Sequence, residues 1–565
     1  MDTRFYRHVT RSVVDLSGLW DFAFLGDKDP DRVKIDRVRY NDQLPVPGCF
    51  DASPAYAGKR GLAAYRTTID IADGSPHRLV LDGVHHWCRV FVDSKALLDH
   101  AGGFTRFNVD LPRLSAGAHE LVVLVDNTFS DRSPLHLEYF DWYHYGGIAR
   151  PAELHRLGQT WIDQLRVRTV DYRSRSVSVE IDWASTAKAG GKLDLEITVG
   201  SERILREKVA VDAKSGTIER SFKLKGAALW SPDKPNLHTL RVALGEDDWV
   251  ERLGIRQVQT RGREVRINGK PLRLLGFCRH EAHPQFGHAI PEALMVNDIQ
   301  QLRDMGCNFI RGSHYPQDRR FLDLCDRMGM LVWCETIGWG QTGQQLKNPA
   351  FMAGQMLQVD EMVAAAANHP SVMMWGVLNE GPSSDELVVD EYRQLLSRLK
   401  QLDPTRPVTY ASNRWQADLC FDMADIISIN TYPGWYSGDI PAVTERIGQM
   451  IAKLRELGQD NKPFIVSEIG AGALYGFRDP HEARWSEQYQ VKLLETAIRG
   501  LFIDSDRAVG LSIWQYCDMR TSQHPVRSIS RPRAFNNKGV VDEYRRPKQA
   551  YELVKRLFHE LNKGV

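Results

Sequence analysis

What the 565-residue sequence lacks narrows its class first. No run of about 20 consecutive apolar residues exists to span a bilayer as a helix. The opening residues, MDTRFYRHVTRSVVDLSGLW, scatter charges where a secretory signal needs an apolar core, so no signal peptide is expected. The 8 cysteines include no Cys-x-x-Cys pair and no regular spacing. Cys278, Cys307, Cys334 and Cys517 lie in apolar runs and read as small buried hydrophobes, which fits a reducing, cytoplasmic setting. Charge of one sign is not in excess: 73 Lys and Arg balance 72 Asp and Glu, for a formal net charge of +1. No global field recruits nucleic acid or an anionic membrane, and neither is expected as a partner. No GxGxxG follows the first strand of the strand–helix region, and no internal repeat or low-complexity tract is present.

What is there is ordinary in bulk, with 42% hydrophobic and 26% charged residues. The length suits three or four domains at about 150 residues each, fewer where one is a barrel. Residues 1–157 alternate short apolar segments with Gly and Pro turns, as a β-sandwich does. One stretch breaks that pattern: EYFDWYHYGG at 138–147 packs aromatic residues around Asp141 without strand or helix period. It reads either as a packed loop or as a loop lent to a neighbouring pocket. Residues 158–257 continue as strands, with strict polar–apolar alternation at 176–183 and 192–199, which suits an immunoglobulin-like β-sandwich. This segment carries no cluster of reactive side chains and reads as a spacer.

From 258 to 565 strands alternate with helices. Strands are predicted at 272–277, 308–311, 329–334, 372–378, 407–411, 426–429, 463–467 and 509–514. Helices are predicted at 291–305, 317–328, 352–368, 384–402, 440–457, 483–503 and 547–562. That order is the signature of a (β/α)8 TIM barrel, with a doubly wound open sheet as the alternative. The strand ends are chemically loaded: Arg279-His280-Glu281, Arg311 to His314, Glu335, Asn379-Glu380, Asn430 to Tyr436, Glu468, and Trp514 to Asp518. Such groups converge on the catalytic rim of a barrel. Glu380 and Glu468 each end a strongly apolar strand. A pair of rim carboxylates can bind a metal or cleave a glycosidic bond. The His280-x-x-His283 spacing with Pro284 does not place two ligands on one helical face. Glycoside hydrolysis accounts for more: Trp339, Trp435, Trp514, Tyr432 and Tyr436 can stack on sugar faces, and Asn379 can hold a sugar hydroxyl.

With these residues in place the whole chain resembles glycoside hydrolase family 2, in particular its β-glucuronidases. LSGLWDF at 16–22 and VPG at 46–48 are similar to the opening of the family's jelly-roll sugar-binding domain, and GIR at 254–256 to the end of its immunoglobulin-like domain. Asn379-Glu380 matches the acid/base motif, Ser467-Glu468 the nucleophile motif, and Ser313 to Pro316 a further signature. The resemblance implies a jelly-roll sandwich at 1–157, an immunoglobulin-like sandwich at 158–257 and a catalytic barrel at 258–565. It implies a retaining reaction in which Glu468 attacks the anomeric carbon and Glu380 serves as acid, then base. Like charge and partial burial are expected to keep Glu380 protonated while Glu468 ionises. Tyr432 matches the tyrosine that supports the nucleophile, and His280, His314 and Asp141 match pocket positions. No cofactor or metal is implied, and a homo-oligomer is.

The resemblance also implies an acid sugar. Asn536-x-Lys538, in RPRAFNNKG at 531–539, matches the motif that holds a C6 carboxylate. An ammonium and an amide can pair that carboxylate through charge-assisted bonds worth about 1.5–3 kcal/mol. The family's arginine before the motif aligns with Pro532, so Arg531, Arg533 or Arg527 is expected to substitute. The segment between Glu335 and Asn368 is short, which leaves an open pocket for the end of an oligosaccharide. The expected substrate is therefore a β-glucuronide or a uronic-acid-terminated oligosaccharide, with Tyr436 and Trp514 among the binding residues. A β-galacturonidase is the nearest alternative, then a β-galactosidase, then a non-catalytic carbohydrate-binding protein.

Overall fold

The computed structural model describes residues 5–135, 139–186, 191–211 and 214–563. Residues 1–4 and Glu138, where the aromatic segment begins, lie outside them. The alternation at 176–183 becomes the strand Ser176–Ser185, whose residues are half-buried and buried by turns along its whole length. It pairs antiparallel with Thr160–Asp171 and Ser215–Lys223. A four-stranded antiparallel sheet packs over this three-stranded one, so Val179 and Ile181 share a core with Leu195, Ile197 and Leu240. Ahead of it, four-stranded and six-stranded antiparallel sheets enclose Trp20, Phe22, Tyr65, Leu81 and Val123.

The rest of the chain closes into a barrel of eight parallel strands in sequence order. These are β1 (Leu274–Arg279), β2 (Phe309–Gly312), β3 (Leu331–Glu335), β4 (Val372–Asn379), β5 (Val408–Ser412), β6 (Ile427–Asn430), β7 (Phe464–Glu468) and β8 (Gly510–Ile513). Most strands end one or two residues later than their apolar runs predict. Polar tip residues remain in the hydrogen-bonded ladder, as where Cys278 and Arg279 face Arg311 and Gly312. Arg279, Arg311, Glu335, Asn379 and Glu468 are all buried. Polar groups in such positions need dedicated partners. The open-sheet alternative falls with the closure of β1 onto β8.

Helices fill the predicted intervals. Arg319–Met328 starts on the Asp318 side chain, which accepts from Arg320 N, and stops at Gly329 with φ 71°. Pro349–Ala366 starts with Asn348 as cap and Pro349 in its first turn. Residues 413–426, between β5 and β6, hold no described helix. No described helix is long and apolar enough to cross a membrane, and no described cysteine forms a disulfide.

Two buried networks fix the loops that complete the barrel's mouth. Asp298 receives Arg279 Nε at 2.9 Å, Arg545 Nε at 3.0 Å and the Tyr516 hydroxyl at 3.2 Å. Lys548 donates to Asp518 Oδ1 at 2.8 Å, Ala473 O at 2.7 Å and Asn537 O at 3.2 Å. Together they tie segment 531–548 to β1 and to the loops after β7 and β8. The first sandwich contributes as well: Phe140 and Trp142 belong to the barrel's apolar core, and Tyr143 N donates to Arg520 O at 2.9 Å.

Replacing Asp298 with Ala leaves two buried guanidinium groups without their anion. We expect a loss of about 3–5 kcal/mol in denaturant-induced unfolding of the barrel. A loss below about 1 kcal/mol, the level of an exposed ion pair, contradicts this role.

Candidate active site

The apolar strand β4 ends in a deformation that aims its last side chains. Its register against β5 shifts between Gly376 and Asn379, and Leu378 and Glu380 take φ of 44° and 54°. Left-handed backbone at non-glycine residues is costly and concentrates at functional sites. Gly376 lies so near Trp333 that a Cβ there would sit 2.1 Å from its indole nitrogen. The strand therefore passes close behind β3 before it bulges.

At the mouth, Arg311 of β2 binds partners on several strands. It donates to both oxygens of Glu335 on β3, at 3.0 and 3.1 Å. It also donates to Asn379 Oδ1 at 2.8 Å and, through its other terminal nitrogen, to Glu468 Oε1 at 2.8 Å. Its plane lies 4.5 Å from the Trp333 ring. The second oxygen of Glu468 accepts the Tyr432 hydroxyl at 2.5 Å. Among the described residues Glu380 accepts only an amide, Asn430 Nδ2, at 3.1 Å, and the same amide nitrogen reaches Asn379 Oδ1 at 3.0 Å.

Glu335 and Glu468 thus share one guanidinium, which Glu380 feels only as a nearby charge. Burial, opposed by Arg311, pushes the Glu335 carboxyl up to about 7. Burial also pushes Glu468 up to about 8, with the charge of Glu380 adding to the rise and Arg311 and Tyr432 opposing it. Burial raises Glu380 too, against its bond from Asn430. The expectation that Glu380 stays protonated while Glu468 ionises is corrected: burial raises both, Glu468 to about 8. What separates them is hydrogen bonding. Glu468 has a cation and a phenol that stabilise its carboxylate, whereas Glu380 has a neutral amide. The anion of Glu468 is thus the better supported of the two, while Glu380 has no bonded cation among the described residues.

A cavity of about 310 Å³ opens over these groups, room for a sugar ring. Its walls include Asp141, Glu380, Tyr432, Tyr436, Glu468, Trp514, Arg527 and Arg531. His314 stands behind them. Its Nδ1 is 2.7 Å from Glu335 and its ring stacks on Trp514 at 5.1 Å. His280 meets the Tyr315 hydroxyl at 3.2 Å and packs edge-on to Trp514. Burial pushes both imidazoles well down, aided by Arg311 at His314 and by His314 at His280, so both stand neutral. Trp435 leaves the cavity to pack on Trp485 at 4.8 Å, which corrects its expected place as a stacking surface.

The aromatic loop of the first sandwich satisfies both of its readings. Phe140, Trp142, Tyr143 and Tyr145 are buried, Tyr139 is half-buried, and Asp141 reaches the cavity wall. There Arg531 meets both carboxylate oxygens at 3.0 Å, Asn536 Nδ2 donates at 2.8 Å, and Arg527 Nε lies 3.5 Å away. Burial opposes the Asp141 carboxylate, but Arg531, Arg527 and Lys538 outweigh it and hold its pKa below the usual range. Arg533 instead pairs with Glu543. Lys538 is buried and donates to the Tyr436 hydroxyl at 2.8 Å. Burial, reinforced by Arg531, pushes its ammonium well below the ordinary lysine range.

Sequence reasoning placed Arg311, Glu335 and Asn430 at strand ends without giving them tasks. It missed Asn413, Trp415 and Arg446, which also line the cavity. The signal for the first group was a charged or amide residue completing an apolar run. Arg446 sits inside a helix, Ala442–Glu456, where nothing distinguishes it from a solvated face.

The family model described as glycosyl hydrolases family 2, TIM barrel domain, matches residues 258–563, and the glycosyl hydrolases family 2 model matches 160–256. A β-glucuronidase from Sus scrofa is 29% identical over 98% of this chain and 91% of its own. A family 2 β-galacturonidase from Eisenbergiella tayi, solved with galacturonate, is 35% identical, covers 99% of both chains and superposes with a TM-score of 0.93. A β-glucuronidase from Faecalibacterium prausnitzii is 26% identical over 98% of both chains, with a TM-score of 0.85.

The raised carboxyls carry a sign that can be tested. Between their ordinary value of 4.5 and about 7 or 8, the unfolded chain has released protons that folded Glu335 and Glu468 keep. These groups therefore subtract stability as pH rises through that window. Glu468→Gln removes one of them. Its unfolding temperature should exceed that of the wild type by more at pH about 8 than at pH about 5. An equal difference at both pH values contradicts the assignment.

Proposed function

The chain belongs to glycosyl hydrolase family 2, and from that premise we propose that it is a retaining, exo-acting β-glucuronidase with its catalytic carboxyls at Glu468 and Glu380. Glu468, held by Arg311 and Tyr432, attacks the anomeric carbon. Glu380 protonates the leaving oxygen and then deprotonates the incoming water, so the anomeric configuration is retained. Divisions near 157 and 257 separate the jelly roll, the immunoglobulin-like sandwich and the barrel. A cytoplasmic homo-oligomer completes the proposal.

The observation that carries the acid-sugar reading is Lys538. It is a buried amine whose hydrogen-bond partner is a phenol, beside a cavity that holds both candidate carboxyls. Asp141 and Glu468 act on it only through space, so a C6 carboxylate supplies the bonded anion it has room for, whereas a neutral hydroxymethyl does not. Asn536 stands with it, and Arg531, held against Asp141, adds a second cation. His280, His314, Asn379 and Trp514 shape the floor beneath the ring.

A second reading, β-galacturonidase, is favoured by the Eisenbergiella tayi structure, which is nearer in identity than the Faecalibacterium prausnitzii β-glucuronidase. Glucuronate and galacturonate share the carboxylate and differ at C4, so both fit the Lys538 requirement.

Aryl β-glucuronide, β-galacturonide, β-glucoside and β-galactoside separate these outcomes. We expect kcat/KM to be highest for the glucuronide and on the order of 10²-fold lower for the glucoside, about 2.7 kcal/mol. Lys538→Ala should remove most of that gap. A galacturonide preferred over the glucuronide selects the second reading. Neutral sugars cleaved as well as their acids overturn both.

A further inference from the structure

Resting on that function, we propose that the leaving-group side of the cavity is built for an anionic sugar, whose carboxylate or sulfate is received by Arg446 while its ring stacks on Trp415. The substrate class is then an acidic oligosaccharide in which the residue next to the terminal uronate is itself charged.

The barrel order locates that side. Glu380 directly follows β4 and must touch the leaving oxygen, so the leaving group lies over β4 and its neighbours β3 and β5. The terminal sugar occupies the opposite arc, where Trp514 after β8 and Asp141 from the first sandwich stand. The cavity wall beyond Glu380 is formed by Asn413 and Trp415 after β5, Thr431 and Arg446 after β6, and Trp339 after β3.

Two features of that wall point to an anion. The Arg446 guanidinium lies 5.7 Å from the Trp415 ring. It donates to neutral acceptors, Gln449 Oε1 at 3.1 Å and Thr431 Oγ1 at 3.4 Å, and has no carboxylate partner among the described residues. Arg527, which lines the same cavity, stacks on Trp339 at 4.5 Å, and its one carboxylate partner among the described residues is Asp141, which Arg531 already holds more closely. An otherwise balanced chain thus concentrates cations with aromatic faces at the mouth of its pocket. That pairing suits a charged pyranose, whose ring stacks and whose acid group pairs. Asn413 adds a buried Oδ1 without a partner on the same wall, an acceptor for a sugar hydroxyl. A plain aromatic leaving group uses the rings and ignores the charges.

The test uses disaccharides with one terminal β-uronosyl residue and one linkage, differing only in the second residue: a uronic acid, its neutral C6 alcohol, or a sulfated neutral sugar. The wild-type enzyme should favour an acidic second residue in kcat/KM on the order of tenfold over the neutral one, with the preference shrinking at high salt. The carboxylated and sulfated arms tell which anion is preferred. Arg446→Gln should bring the ratio of acidic to neutral substrate close to one, and Arg446→Lys should keep most of it. If Arg446 merely propped Trp415, the substitution would slow all disaccharides alike and leave the ratio intact. A wild-type enzyme without preference, or Arg446→Gln with the preference retained, overturns the proposal. An aryl uronide that is not cleaved at all instead overturns the function on which it rests.

Discussion

A single buried guanidinium at the mouth of the barrel sets the terms for everything around it. Arg311 rises from β2 and is bonded to Glu335 on β3, Asn379 on β4 and Glu468 on β7. A charge this deep is stable only if anions surround it. The anions in turn are stable only because it is there, and even so burial keeps Glu335 and Glu468 raised. One cation among several carboxyls makes protonation state a property of hydrogen bonding. Tyr432 and Arg311 support the carboxylate of Glu468, and Asn430 gives Glu380 no such support. Two residues of the same type are thereby given different hydrogen-bond surroundings, which the proposed mechanism uses for its two roles.

The barrel alone does not complete the pocket. Asp141 comes from the amino-terminal sandwich, carried in on a loop whose Phe140 and Trp142 are embedded in the barrel's core. It gathers Arg531 and Asn536, which belong to the last long connection of the chain. That connection is pinned from below by the Asp298 and Lys548 networks. The proposed catalytic carboxyls thus depend on β2, β4 and β7. The proposed sugar recognition is assembled from opposite ends of the sequence, and the proposed leaving-group recognition from the loops after β3, β5 and β6.

Much of this was legible in the sequence. Alternation at 176–183 located a one-sided strand, and apolar runs located every barrel strand, because burial on both faces permits little else. The loaded strand tips announced the catalytic rim, since a buried strand has no structural need for Glu468 or Asn379. The strand limits were less legible, because polar tips such as Arg279 stay within the ladder while apolarity ends. Neither Trp435, which packs away from the cavity on Trp485, nor Arg446, which reaches it from a helix, could be assigned from local pattern. Both depend on how a helix or loop lies against its neighbours in three dimensions. The same holds for Arg531, Arg533 and Arg527: three nearby arginines of equal chemistry, of which only the fold turns two toward Asp141.

The central claim is that Glu468, on its Arg311 and Tyr432 supports, becomes bonded to the sugar. The most direct measurement is to inactivate the protein with an activated uronosyl fluoride carrying fluorine in place of its C2 hydroxyl, then map the adduct by proteolysis and mass spectrometry. One uronosyl adduct on the peptide containing Glu468 is the predicted result. An adduct on Glu380 or Glu335, or turnover that yields the inverted anomer with no adduct, contradicts the account.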